Sequence, residues 1–170
     1  MGRLHVCSLA KVPDTVRDTG ARSLVTLIDR GTFVSRPTEI AADRHLYVSI
    51  SDIVEAIDGH ILPSDAHVTE LLEFVRRWDR AAPMLIHCYA GISRSTAAAF
   101  IAACALSPHR DEYEIATAIR RNSPTATPNA RLIALADAML QRDGRMSAAI
   151  RRIGRGKDCF EGVPFALELH

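Results

Sequence analysis

The sequence predicts an α/β domain, with a mainly parallel central sheet of four to five strands flanked by helices and a C-terminal third that is helical. Three observations predict it. Short runs rich in Val, Leu and Ile alternate with longer stretches whose apolar residues recur every three to four positions. Pro83-Met84-Leu85-Ile86-His87 is a short, almost continuous apolar run, as expected of a strand covered on both faces. Residues 97–106 are Ala-rich and apolar all round, which suits a helix enclosed by its neighbours.

The elements follow in order. Residues 3–8 and 23–28 read as strands. Between them, 11–19 reads as a short helix ended by Gly20. Residues 31–43 carry Gly, Pro and scattered charges and form a loop, after which 45–50 is a third strand. Residues 51–63 hold Asp52, Asp58, Gly59 and Pro63 and form an irregular excursion. Ser64 then caps a helix whose Val68, Leu71, Leu72 and Val75 share one face, and which stops before Pro83. After the strand 83–87 come the apolar helix 94–106, a helix at 112–121, a third at 130–141 capped by Asn129, and a last at 144–153 closed by Gly154. Residues beyond Lys157 carry no assignment, so the expected organisation is one domain over 1–155 and a tail over 156–170.

Composition narrows the function. The chain has 170 residues, 48% hydrophobic and 24% charged, which is ordinary for one globular domain. A net charge of +1 offers no broad basic field, so no nucleic-acid partner is expected. The longest apolar run is half of the about 20 residues a membrane helix needs, so no membrane partner is expected either. Met1-Gly2-Arg3-Leu4-His5-Val6 has no secretory apolar run, and Val6 stands where a myristoylation signal wants Ser or Thr. Cys7, Cys88, Cys104 and Cys159 are widely spaced, without zinc-ligand spacing, so reduced thiols, a cytoplasmic location and no metal or other cofactor are expected. Oligomeric state is left open.

The informative stretch is His87-Cys88-Tyr89-Ala90-Gly91-Ile92-Ser93-Arg94-Ser95, which joins the buried strand to the apolar helix. A strand, a tight turn and a helix start aim successive backbone N–H groups at one point, a cradle suited to a dianionic phosphate. Gly91 permits the sharp curvature. Arg94 can turn its planar fork over the loop and grip two phosphate oxygens. Cys88 stands at the mouth of the cradle. The amides and the guanidinium that bind phosphate also favour the anionic form of a thiol placed there, which makes it a nucleophile for covalent catalysis.

These residues, H-C-x5-R-S in the setting VSISD…LIHCYAGISRSTAAAF, resemble the cysteine-dependent protein tyrosine phosphatase superfamily, most closely its compact dual-specificity-type and bacterial members. The likeness is strong at 83–106 and weaker over the rest of 3–140. It implies a phosphatase that passes through a cysteinyl-phosphate intermediate, with Cys88 as nucleophile and Arg94 binding phosphate. It further implies that the N–H groups from Tyr89, Ala90, Gly91, Ile92 and Ser93 to Arg94 complete the cradle. Ser95 would offer its hydroxyl to the sulfur, and His87 would brace the loop. No metal is needed.

The resemblance also implies an Asp general acid. Asp52 directly follows the strand 45–50; if that strand runs parallel to 83–87, both open at the same carboxyl edge, where α/β sheets keep their sites. Asp58 is the second choice, and Asp65 is more simply the acidic first turn of a helix. The segment Ser51-Asp52-Ile53 lacks the Trp-Pro-Asp of receptor-type members, and no Asn-Arg-Tyr-type recognition loop lies upstream. Tyr89, Ala90, Ile92 and Ser93 include no Lys or Arg, which argues against polyphosphoinositides. A phosphorylated protein or a small phosphomonoester is the expected partner, with a phosphoinositide or RNA 5′-phosphate as the alternative substrate.

Plainer readings stand beside these. A pseudo-phosphatase that binds phosphate without turnover would share the fold, and a rhodanese-like sulfur or arsenate enzyme would share the Cys-initiated loop. Tyr89 lines the rim or merely packs. Asn129 is explained by helix capping, although it resembles the Pro-Asn element of dual-specificity relatives. Cys104 falls on the apolar helix and is structural. Arg120 and Arg121, and the cluster Arg145, Arg151, Arg152, Arg155 and Lys157, read as solvated helix faces.

Overall fold

The computed structural model describes residues 2–170. Its strands are β1 (Gly2–Cys7), β2 (Ser23–Ile28), β3 (His45–Ser49), β4 (Met84–His87) and β5 (Phe165–Leu169), and its helices are α1 (Val12–Thr19), α2 (Asp65–Arg77), α3 (Arg94–Leu106), α4 (Glu112–Asn122), α5 (Ala130–Met139) and α6 (Arg145–Ile153). The sheet order is β3-β2-β4-β1-β5. The first four strands in that row run parallel, and β5 runs antiparallel to β1, Gly2 opposite Leu169. The α/β class with a mainly parallel sheet is therefore as expected.

One expectation is corrected. The C-terminal third is not helical alone, because β5 follows α6 and forms an edge of the sheet. Its physical basis is a two-residue alternation, with Phe165, Leu167 and Leu169 buried and Glu168 outward. Outward Glu168 pairs with Arg3 of β1.

Alternation divides the sheet's two faces. Cys7, Leu24 and Leu85 pack on one side under α1 with Val12, Val16 and Ile40. Leu4, Val6, Val25, Met84 and Ile86 face the other side, against α3 and the helices around it. The Ala-rich sequence of α3 lets its backbone approach the sheet closely, and its run Ala97–Cys104 is buried on every side. Elsewhere the ends are capped as the side chains allow. Ser64 and His67 form a capping box at α2, Asp111 accepts from Glu114 N–H, and Asn129 accepts from Leu132 N–H. Among the described residues, no helix is long and apolar enough to cross a membrane.

Because β2, β3 and β4 are parallel neighbours, their carboxyl ends meet at one edge. Asp29, Ile50 to Asp52 and the loop after His87 all emerge there.

Candidate active site

The loop 88–93 runs from β4 into α3. Gly91 turns it with φ +73°, and a Cβ at that position would lie 2.8 Å from the Cys7 carbonyl carbon and 2.9 Å from Ser8 N. Both the conformation and the space therefore demand glycine. Four carbonyls of the loop point outward, and each accepts a main-chain N–H from a distant segment. Leu9 donates to Tyr89 (3.0 Å), Gly162 to Ala90 (2.8 Å), Thr127 to Ile92 (2.9 Å) and Asn129 to Ser93 (3.2 Å). A trans peptide points its C=O and N–H in opposite directions. Pinning these carbonyls outward turns the N–H groups of Ala90, Gly91, Ser93 and Arg94 inward.

Cys88 is 2% exposed. Its Sγ accepts the Gly91 N–H at 3.3 Å and lies 3.1 Å from the Ser95 hydroxyl. A sulfur so placed receives a donor from the loop and meets a hydroxyl of the first turn of α3, the end of a helix that favours negative charge.

Behind it, His87 is fully buried. Its Nδ1 faces the Cys88 carbonyl at 3.1 Å, so that nitrogen carries the ring proton and donates it. Nε2 then accepts from the Thr26 hydroxyl at 2.7 Å, and the Thr26 oxygen accepts from His45 Nε2 at 2.8 Å. A second proton on His87 would leave the Thr26 hydroxyl hydrogen without an acceptor. Burial pushes the His87 pKa down to about 4, with His45 acting in the same sense. His87 is thus a neutral brace beneath the loop.

Arg94 is also buried. Its Nη1 donates to the Asp29 carboxylate at 2.6 Å and to the Ile50 carbonyl at 2.9 Å, while its buried Nε has no partner among the described residues. Asp52 lies beside the loop, next to Ser93. Its Oδ1 accepts from Ser93 Oγ (2.7 Å) and from Asn129 Nδ2 (2.9 Å). Asn129 serves twice, since its Oδ1 caps α5 while its amide also reaches the Ile53 carbonyl. Asp58 lies in an exposed turn, 57–60, and Asp65 opens α2. Tyr89 is exposed at the rim and Ile92 is half-buried.

The sequence reading missed Asp29, Thr26 and His45. Asp29 directly follows the all-buried strand β2, and a carboxylate at the carboxyl end of a parallel strand was the available signal. Thr26 is a hydroxyl in the middle of that strand, which a burial argument flags as needing a partner.

Residues 58–131 match the family model described as protein-tyrosine phosphatase. Several solved structures share the fold. The Cydia pomonella PTP-2 phosphatase is 20% identical with a TM-score of 0.62, over 79% of this chain and 84% of that one. DUSP15 is 20% identical with a TM-score of 0.63, over 88% of both chains. PTPMT1, solved in complex with PI(5)P, is 14% identical with a TM-score of 0.61, over 89% of this chain and 94% of its own. No curated protein sequence matches the chain.

Proposed function

We propose that the chain is a member of the cysteine-dependent protein tyrosine phosphatase superfamily and hydrolyses phosphomonoesters of proteins, of the tyrosine or dual-specificity type, through a cysteinyl-phosphate. The observation that carries this reading is the setting of the Cys88 sulfur, which takes the Gly91 N–H and neighbours the Ser95 hydroxyl at the foot of an inward-facing amide nest.

In the first step the Cys88 sulfur attacks phosphorus, an S–P bond forms and the bond from phosphorus to the leaving oxygen breaks. Asp52 gives that oxygen a proton, so it departs as an alcohol or phenol. Its Oδ1 is occupied by two donors, which leaves Oδ2 to hold the transferred proton. With Nη1 of Arg94 held by Asp29 and Ile50, the opposite edge of the fork, Nε with Nη2, is the part left for two phosphate oxygens. The cradle N–H groups stabilise the charge that builds on those oxygens. In the second step Asp52 takes a proton from water, the oxygen of that water bonds to phosphorus, and the S–P bond breaks. The Ser95 hydroxyl donates to the departing sulfur. His87 takes no proton in either step.

A protein substrate is favoured over a polyphosphoinositide because the loop side chains Tyr89, Ala90, Ile92 and Ser93 are all uncharged. The test is turnover of p-nitrophenyl phosphate, with vanadate as inhibitor. Vanadate-sensitive turnover that falls at least about 10⁴-fold in Cys88→Ser supports the reading. No turnover in the wild type, or none lost in Cys88→Ser, refutes it.

A further inference from the structure

The segment between α6 and β5 crosses the outer side of the cradle loop. The Gly162 N–H donates to the Ala90 carbonyl at 2.8 Å, and the Ser8 hydroxyl donates to the Glu161 carboxylate at 2.5 Å. A Cβ at Gly162 would stand 2.8 Å from the Gly91 carbonyl oxygen, so only glycine lets this segment lie so close to the loop. The approach brings Phe160, which is fully exposed, alongside Tyr89, which is 65% exposed. Between them is a groove of about 390 Å³ lined by Leu9, Ala10, Tyr89, Ala90, Phe160 and Glu161. Its volume falls within the about 300–1,000 Å³ of small-ligand sites.

Phe160 and Tyr89 place two exposed aromatic rings at this groove, an apolar patch of the kind that marks interaction sites. The groove borders the loop that forms the phosphate site, because Tyr89 and Ala90 of that loop line it. Its one charged wall residue is the carboxylate of Glu161. That charge repels anionic headgroups and tolerates an uncharged side chain. We propose that this groove is a specificity subsite, in which Phe160 and Tyr89 hold an apolar side chain flanking the phosphorylated residue of a polypeptide substrate. The assignment rests on the phosphatase reading above. Phe160 contacts the flank of the substrate and takes no part in the chemistry at phosphorus.

Matched phosphotyrosine peptides with Leu or Ser on either side of the phosphoresidue test it, alongside p-nitrophenyl phosphate, which has no flank. The wild type is expected to favour the Leu peptides by about tenfold in kcat/KM, the discrimination a hydrophobic pocket gives for a small apolar difference. Phe160→Ala abolishes that preference and Phe160→Trp keeps it, while all three turn over p-nitrophenyl phosphate equally. Equal kcat/KM for Leu and Ser peptides in the wild type overturns the proposal. So does a preference that survives Phe160→Ala, or a fall in p-nitrophenyl phosphate turnover in that variant. Preferential turnover of PI(5)P in phosphatidylcholine vesicles, lost in Phe160→Ala, overturns it in favour of a lipid surface. Absence of any wild-type turnover of p-nitrophenyl phosphate overturns the phosphatase reading itself, and is distinguishable because the peptide comparison presupposes that activity.

Discussion

The two ends of α3 bury the same functional group in opposite settings. Cys88 opens the loop leading into the helix and Cys104 sits in its last turns, and both are nearly inaccessible to solvent. Around Cys88 are an inward N–H, a hydroxyl and the guanidinium-bearing first turn. Around Cys104 is the main apolar cluster, and burial pushes its thiol up to about 12. At that end the positive charge is spent on the helix instead. Arg142 donates to the Cys104 carbonyl at 2.7 Å and pairs with buried Glu112 at 2.7 Å, which suits the negative end of a helix dipole. The difference teaches that removing a thiol from water makes it inert, and that the direction of the surrounding main-chain dipoles is what separates the proposed nucleophile from a core residue.

The largest expected effect sharpens the reactive end. Asp52→Ala should lower kcat on an alkyl phosphate by about 10²–10⁴-fold, the usual contribution of general acid catalysis, and Asp58→Ala should leave it unchanged. Steady-state kinetics on both variants would break the assignment if the losses were equal or reversed.

A smaller effect concerns the floor beneath Cys88. His87 has a folded pKa of about 4 against an ordinary 6.5, so below pH 6.5 the unfolded chain takes up a proton that the fold refuses. Stability is therefore present above pH 6.5 and is lost as pH falls towards 4. The loss attributable to His87 reaches at most about 3 kcal/mol. Burial also lowers His5, His45 and His67, so part of the slope persists without it. Urea midpoints at pH 7, 5.5 and 4 should show a shallower fall in His87→Gln than in the wild type. Parallel slopes would remove His87 from the account.

The smallest effect belongs to the other end of the helix. Cys104→Ala should cost about 1–2 kcal/mol of stability while leaving kcat intact. A fall in kcat at full folding would erase the contrast between the two thiols.

The sequence made the local parts of this picture legible. The nine residues from His87 to Ser95 are contiguous, and the strand before them and the helix after them each announce themselves by pattern. Asp52 was reachable because one topological assumption, a parallel β3, put it at the right edge. Asp29 and the second role of Asn129 depend on pairings 65 and 77 residues apart, which no window of sequence contains. The chain Thr26–His45–His87 needs the order β3-β2-β4, which is fixed only when the whole sheet assembles. The strand β5 is five residues long, and so short an alternation is weak beside the strong helical pattern of α6 before it.

The four pinned carbonyls have a thermodynamic corollary. Their donors, Leu9, Thr127, Asn129 and Gly162, come from the two extremities of the polypeptide and from the segment between α4 and α5. The proposed oxyanion cradle is thereby coupled to global cooperativity: fraying of any one of these segments releases a peptide plane, and slow amide exchange at Leu9, Thr127, Asn129 and Gly162 becomes a readout of the integrity of the whole domain.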